Sequence, residues 1–221
     1  MQTEVDHNTI IKKAANAVLK PQGLFQKGTS RVWIDDNGWF LIIVEFQPSA
    51  WGKGSYLNVS IHYLWDDKNY LSFDYGHRLH NFVSFEGNEE RFAADMESLA
   101  KLAMDQVLQY RQFRDLEYAR VAVLQNEAHH VINTLYPKMM ICGLCKDRDA
   151  LNHYKRLTEV MPMFADWAWT RKYLNELQEK IAPIIDNPER FYQYVCGKIE
   201  FQRNFWREKS SMRKMRDSFT L

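Results

Sequence analysis

The sequence predicts an α+β protein: an N-terminal helix, an antiparallel meander of four to five strands, and a helical C-terminal half packed on it. Three observations carry this expectation. Apolar residues alternate with period two through the stretch from about residue 31 to residue 85. After Gly87-Asn88 the period becomes about 3.6 and stays there. Between the first two strand-like runs stands Asn37-Gly38, a strong short hairpin signal.

The elements follow in order. Ile10, Ile11, Ala14, Ala17 and Val18 recur at helical spacing between about Asn8 and Lys20, and Pro21 with Gly23 ends the run. Arg31–Asp35 reads as a strand and Trp39–Phe46 as a second, apolar on both faces and therefore central. Tyr56–Trp65 sets Leu57, Val59, Ile61, Tyr63 and Trp65 on one face against Asn58, Ser60 and His62 on the other, which predicts one core face and one wetter face. Tyr70–Tyr75 and Leu79–Phe85, linked by Gly76, complete the meander.

Phe92, Met96, Leu99, Ala100, Ala103, Val107 and Tyr110 form one unbroken helical stripe, the natural cover for the sheet. A second stripe runs from Val121 to Leu135 and stops at Pro137, and a third runs from Leu151 to Met161 and stops at Pro162. A fourth runs from Trp167 to Ile181, and the last starts after Asn187-Pro188, a capping residue followed by a proline at the first helical position. The division expected is a meander lobe with its covering helix over 1–115 and a helical lobe over 116–221, packed as one unit.

Composition excludes several function classes. Lys and Arg number 29 against 28 Asp and Glu, a formal charge of +1, so no global field favours nucleic acid or anionic lipid. The stretch 198–221 is locally basic, yet it carries no recognised nucleic-acid motif, and nucleic acid is not expected as a partner. The longest apolar run, Trp39–Val44, is too short to span a bilayer, and the first residues lack the pattern of a secretory signal. Three cysteines make no disulfide framework, so a cytoplasmic protein is expected.

The segments Gly23–Gly28, Arg31-Val32-Trp33, Phe46-Gln47-Pro48-Ser49 and Tyr56–Ile61 resemble an uncharacterised bacterial family, domain of unknown function 4304, over roughly the first half of the chain. The resemblance implies an α+β fold and brings no activity or catalytic residue.

Four motifs bear on chemistry. Cys142-Gly143-Leu144-Cys145 has zinc-knuckle or redox spacing, with His129, His130 and His153 near it, but a second ligand pair and the preceding βαβ strand are both missing. A buried interhelical pair with no metal is the reading adopted, and no cofactor is expected. Gly52-Lys53-Gly54-Ser55 is not a phosphate loop, because Gly54 intervenes and a strand follows. The segment from Gln47 to Ser55 reads as a loop carrying Trp51 and Lys53, with Trp51 either displayed to a partner or folded back on the core. Asp74, His77, Arg78 and His80 gather around Gly76, read as a charged turn guarding a sheet edge.

The candidate binding residues are therefore Trp51, Lys53, His62, Asp74, His77 and Arg78, with no catalytic residue assigned. The function expected is a non-catalytic protein-interaction module whose partner is another protein. The alternative is a hydrolase with a cleft between sheet and helical lobe, using His62, Asp74, His77 and Arg78.

Overall fold

The reversal signalled by Asn37-Gly38 forms, but over more residues than a two-residue turn. Strand β2 (Val32–Asp36) ends one residue before it and β3 (Phe40–Gln47) begins only after Trp39. Gly38 supplies the left-handed residue at φ 85°, and its N–H donates to Asp36 Oδ1 at 3.1 Å. A computed structural model describes residues 6–128, 130–164 and 166–216, apart from the side chains of 168 and 169.

A short strand β1 (Phe25–Gln26) precedes this hairpin, and β4 (Gly54–Tyr63) and β5 (Tyr75–Ser84) follow it. The sheet order is β1-β2-β3-β4-β5, every neighbouring pair antiparallel, with β3 central as its two apolar faces require. Two expectations are corrected here. Tyr70–Tyr75 forms no separate strand, and Gly76 is not a link between strands but a residue inside β5. The reason for glycine is steric: at φ 117° an added Cβ would lie 2.6 Å from Tyr110 Oη and 2.7 Å from the Val59 carbonyl.

Helix α1 (His7–Leu19) is capped by Asp6, whose carboxylate accepts from Asn8 N at 3.2 Å. Helix α2 (Glu89–Tyr110) is capped by Asn88, whose Oδ1 accepts from Arg91 N at 2.9 Å. The predicted stripe of α2 is buried, and the helix lies beside α1 on the face that carries Leu57, Val59 and Ile61. Each of those side chains, fully removed from water, stabilises by about 1.5–3 kcal/mol. Arg111 closes the end of this layer, with Nε donating to Asp35 Oδ2 at 2.8 Å.

The face expected to be wetter is also buried: Asn58, Ser60 and His62 are 4%, 0% and 0% exposed. Near His62 the cover comes from the far end of the chain. Arg203 forks onto Asp36, Nη1 to Oδ1 at 2.6 Å and Nη2 to Oδ2 at 2.9 Å, and Trp206 stands edge-on to His62 at 6.1 Å between ring centroids. Burial would raise the Asp36 pKa, but the Arg203 hydrogen bonds and charge outweigh it and hold the carboxyl below its ordinary range.

The chain divides into two compact units, one of Met1–Leu64, Lys68–Arg111 and Gln202–Leu221, the other of Trp65–Asp67 and Gln112–Phe201. The second is helical, with α3 (Leu116–Gln125), α4 (Val131–Leu144), α5 (Ala150–Val160) and α6 (Ala168–Asn175). A π-helical turn, Glu176–Ile181, follows α6, and α7 (Pro188–Glu208) starts in this unit and ends in the first. Asn187 caps α7, with Oδ1 accepting from Arg190 N at 3.1 Å.

The stripe expected to run unbroken from Val121 to Leu135 is split between α3 and α4. His130 makes the new cap, its Nδ1 accepting from Ile132 N at 3.3 Å, and Thr134 Oγ1 accepts from Ala128 N at 2.9 Å. Pro137 does not end a helix but lies inside α4. That costs one backbone hydrogen bond, and the burial of Leu135, Tyr136, Met139, Met140 and Ile141 around it offsets the loss. Among the described residues no helix is long and apolar enough to cross a membrane.

Candidate functional site

The loop that joins β3 to β4 carries Pro48-Ser49-Ala50-Trp51-Gly52-Lys53. Its turn is stabilised locally, with Ser49 Oγ accepting from Trp51 N at 3.1 Å, and anchored to the end of β5 by Phe85 N donating to Lys53 O at 2.9 Å. Trp51 does not fold back on the core. It is 96% exposed, whereas Trp33, Trp39, Trp65 and Trp206 are between 0% and 4% exposed. Lys53 is exposed beside it.

Gly54, the first residue of β4 after this loop, is glycine because β5 lies close against it. Gly54, at φ 148°, would place a Cβ 2.2 Å from the Val83 carbonyl and 2.7 Å from the Phe82 ring. Phe82 in turn lies 5.0 Å from Tyr56 between centroids, and the Arg78 guanidinium stacks over Tyr56 at 4.1 Å. Arg78 is held in that place from below: Nη2 donates to Gln47 Oε1 at 3.0 Å, and Asn58 Nδ2 donates to Gln47 Oε1 and Glu45 Oε2, both at 2.9 Å. The result is a row of guanidinium, phenol and phenyl leading along β5 to the loop of Trp51.

Of the remaining candidates, the sheet brings His62 and Asp74 together and separates the rest. His77 lies opposite Val59 and so belongs to the face covered by α2, while Arg78 lies opposite Asn58 on the face of His62 but farther along β4. His62 Nδ1 is 3.2 Å from Asp74 Oδ2 and 3.0 Å from Ser72 Oγ. Lys68 Nζ donates to Asp74 Oδ1 at 2.8 Å, Ser72 Oγ does so at 2.7 Å, and Tyr63 N donates to Oδ2 at 2.9 Å. Burial would raise the Asp74 pKa, but the hydrogen bonds and charges of His62 and Lys68 overwhelm it and hold the carboxyl far below the usual carboxylate range.

Serine, histidine and aspartate in contact suggest a nucleophile relay, yet the wiring is different. A relay needs the serine on one ring nitrogen and the carboxylate on the other. Here both meet Nδ1, while Nε2 is buried without a partner, and His62 has no exposed surface. The cluster ties the 64–74 loop to β4. Sequence reading found His62 and Asp74 but not Lys68 or Ser72, because an irregular loop has no period from which side-chain directions can be read.

Another buried polar group went unread in the helical unit. Glu176, on the π-helical turn, accepts at Oε1 from Tyr136 at 3.0 Å, Tyr194 at 2.8 Å and Lys198 at 2.6 Å. Burial pushes the Tyr136 and Tyr194 phenols up, so both remain donors. The one signal available was the four-residue spacing of Tyr194 and Lys198, which puts them on one helix face.

Cys142 lies in the last turn of α4 and Cys145 just beyond it, rather than in an interhelical loop. Burial pushes the Cys142 thiol up to about 12 and the Cys145 thiol to about 11, away from the thiolate that metal binding and disulfide exchange both require. Among the described residues there is no group of three or more His, Cys, Asp and Glu suited to a metal ion, and His129 lies outside those residues. In the basic stretch, Lys198 and Arg203 are consumed by internal pairing with Glu176 and Asp36.

No family model matches the chain, and no curated protein or solved structure is similar to it.

Proposed function

We propose that the chain is a protein-interaction module that binds through the β3–β4 loop and the adjoining strand β5. One observation carries this: an indole that is 96% exposed at the tip of a short, internally bonded loop. Tryptophan offers 150–250 Å² of surface, so leaving it in water forgoes roughly 4–6 kcal/mol of burial. Such a side chain is the usual centre of a contact surface. The bacterial cytoplasm as its setting, supported by three unbridged cysteines, and kinship with domain of unknown function 4304 in the first half belong to the same reading. The hydrolase alternative is less well supported, since of its two histidines His62 has no surface for a substrate to touch and His77 lies on the opposite face of the sheet from His62 and Arg78.

The test is photocrosslinking in the native cells, with a photoreactive amino acid at position 51 and, as control, at Lys101 on the exposed side of α2. The expected outcome is a discrete adduct with one protein from position 51 and none from position 101. Absence of any adduct from position 51, in protein whose urea melt matches the wild type, overturns the proposal.

A further inference from the structure

Three buried polar atoms lie on the second face of the sheet with no protein group to bond. Among the described residues Ser60 Oγ, His62 Nε2 and Trp206 Nε1 have no hydrogen-bond partner, although the three residues are 0%, 0% and 4% exposed. Ser60 and His62 are alternate residues on one face of β4, about 7 Å apart along the strand. The rings of His62 and Trp206 stand edge-on, 6.1 Å between centroids. A buried polar group without a partner forfeits the hydrogen bond it makes to water in the unfolded chain, and folded proteins leave few in that condition. A ring face is a weak substitute for an acceptor, and in an edge-on pair only one ring offers its face, so it serves one of the two nitrogens at most.

The chemistry of the partner follows from where His62 carries its proton. The two nearest groups at Nδ1 are acceptors: Ser72 Oγ at 3.0 Å, whose own hydrogen goes to Asp74 Oδ1 at 2.7 Å, and Asp74 Oδ2 at 3.2 Å. The one donor facing Nδ1, the Ser72 N–H, lies farther off at 3.3 Å. The proton therefore belongs on Nδ1, and neutral His62 presents a lone pair at Nε2. The Trp206 indole can only donate. A group that serves both nitrogens must accept from one and donate to the other. An anion cannot donate and a metal cation cannot accept, whereas water does both, and the Ser60 hydroxyl supplies the third bond that a buried water usually makes. Because no part of Ser60 or His62 reaches the surface, the place suits a molecule of one heavy atom rather than a larger alcohol.

We infer that a resident water molecule bridges Ser60 Oγ, His62 Nε2 and Trp206 Nε1, so that the end of the chain is held to β4 partly through solvent. This site is independent of the Trp51 loop.

The test is nuclear magnetic resonance of the full chain labelled with nitrogen-15, at about pH 8.5, well above the ordinary imidazole pKa. The Trp206 indole proton is expected to show cross-peaks at the water frequency with opposite signs in NOE and ROE spectra, the mark of a long-lived water rather than of proton exchange. The Nε2 nitrogen of His62 is expected to resonate as unprotonated and hydrogen-bonded. Ser60→Ala controls for relay through the Ser60 hydroxyl, and in that variant the indole cross-peak is expected to persist. Should the variant fail to fold, a high-resolution crystal structure of the wild type takes its place, with ordered density expected within hydrogen-bonding distance of both nitrogens. Absence of the cross-peak in the wild type, its loss in folded Ser60→Ala, a protonated Nε2, or a direct protein partner on either nitrogen in the crystal each overturns the inference.

Discussion

Asp74 shows how much of a site can be seen from the chain and where that view stops. It and His62 were both singled out from the sequence, but together with His77 and Arg78, and the strand expected to carry Asp74 does not form, so the contact between the two was not read from the chain. Lys68 and Ser72, which complete the cluster, were not singled out, since they sit in a loop whose path is set by the hydrogen bonds themselves. The arrangement makes a pH-dependent prediction. The folded pKa of Asp74 is lowered, so its contribution to stability is fully present above about pH 4, the unfolded value, and is lost as pH falls through and below it. Asp74→Asn should cost about 3 kcal/mol at pH 7, because it leaves Lys68 and His62 facing a neutral amide. Denaturant melts of both proteins should show the gap narrowing towards pH 3, and an equal gap at both pH values would exclude the ionic explanation.

At the scale of elements, the regular pieces were the readable ones. Helix α2 follows its stripe through six turns, and β3 lies at the centre where its doubly apolar pattern places it. Leu99 is 4% exposed on that stripe, so Leu99→Ala should cost about 2–5 kcal/mol. Lys101, exposed and paired with Glu97 at 2.7 Å, should lose no more than about 0.5 kcal/mol as alanine. Urea melts of the two variants decide whether α2 is the cover of the sheet; equal, small losses would mean it is not. Errors arose where local rules met tertiary ones. Pro137 was read as a stop because proline usually is one, and burial of the surrounding side chains overrode it. Gly76 was read as a turn because its requirement for no Cβ comes from Tyr110, a residue on another element.

At the scale of the molecule, the buried second face of the sheet was the feature least open to sequence reading. Nothing in a hydrophobic period says that Arg203 will pair with Asp36 across 167 residues. Without the guanidinium, Asp36 would be a buried carboxylate facing Arg216 N and Gly38 N alone. Arg203→Ala should therefore cost about 3–5 kcal/mol, read as an earlier midpoint in a urea melt followed by the fluorescence of the buried tryptophans, and a loss below about 1 kcal/mol would show the pair to be dispensable. The same return of the chain bears on how the protein is made. A growing chain folds its N-terminal domain first when that domain is continuous, but here the strands that emerge earliest lack their cover until Gln202–Arg216 have left the ribosome, after the whole of Gln112–Phe201. Through that interval Leu41, Ile43 and His62 lie on a sheet face that still lacks Arg203 and Trp206, at a stage when every residue of the helical unit has already been made.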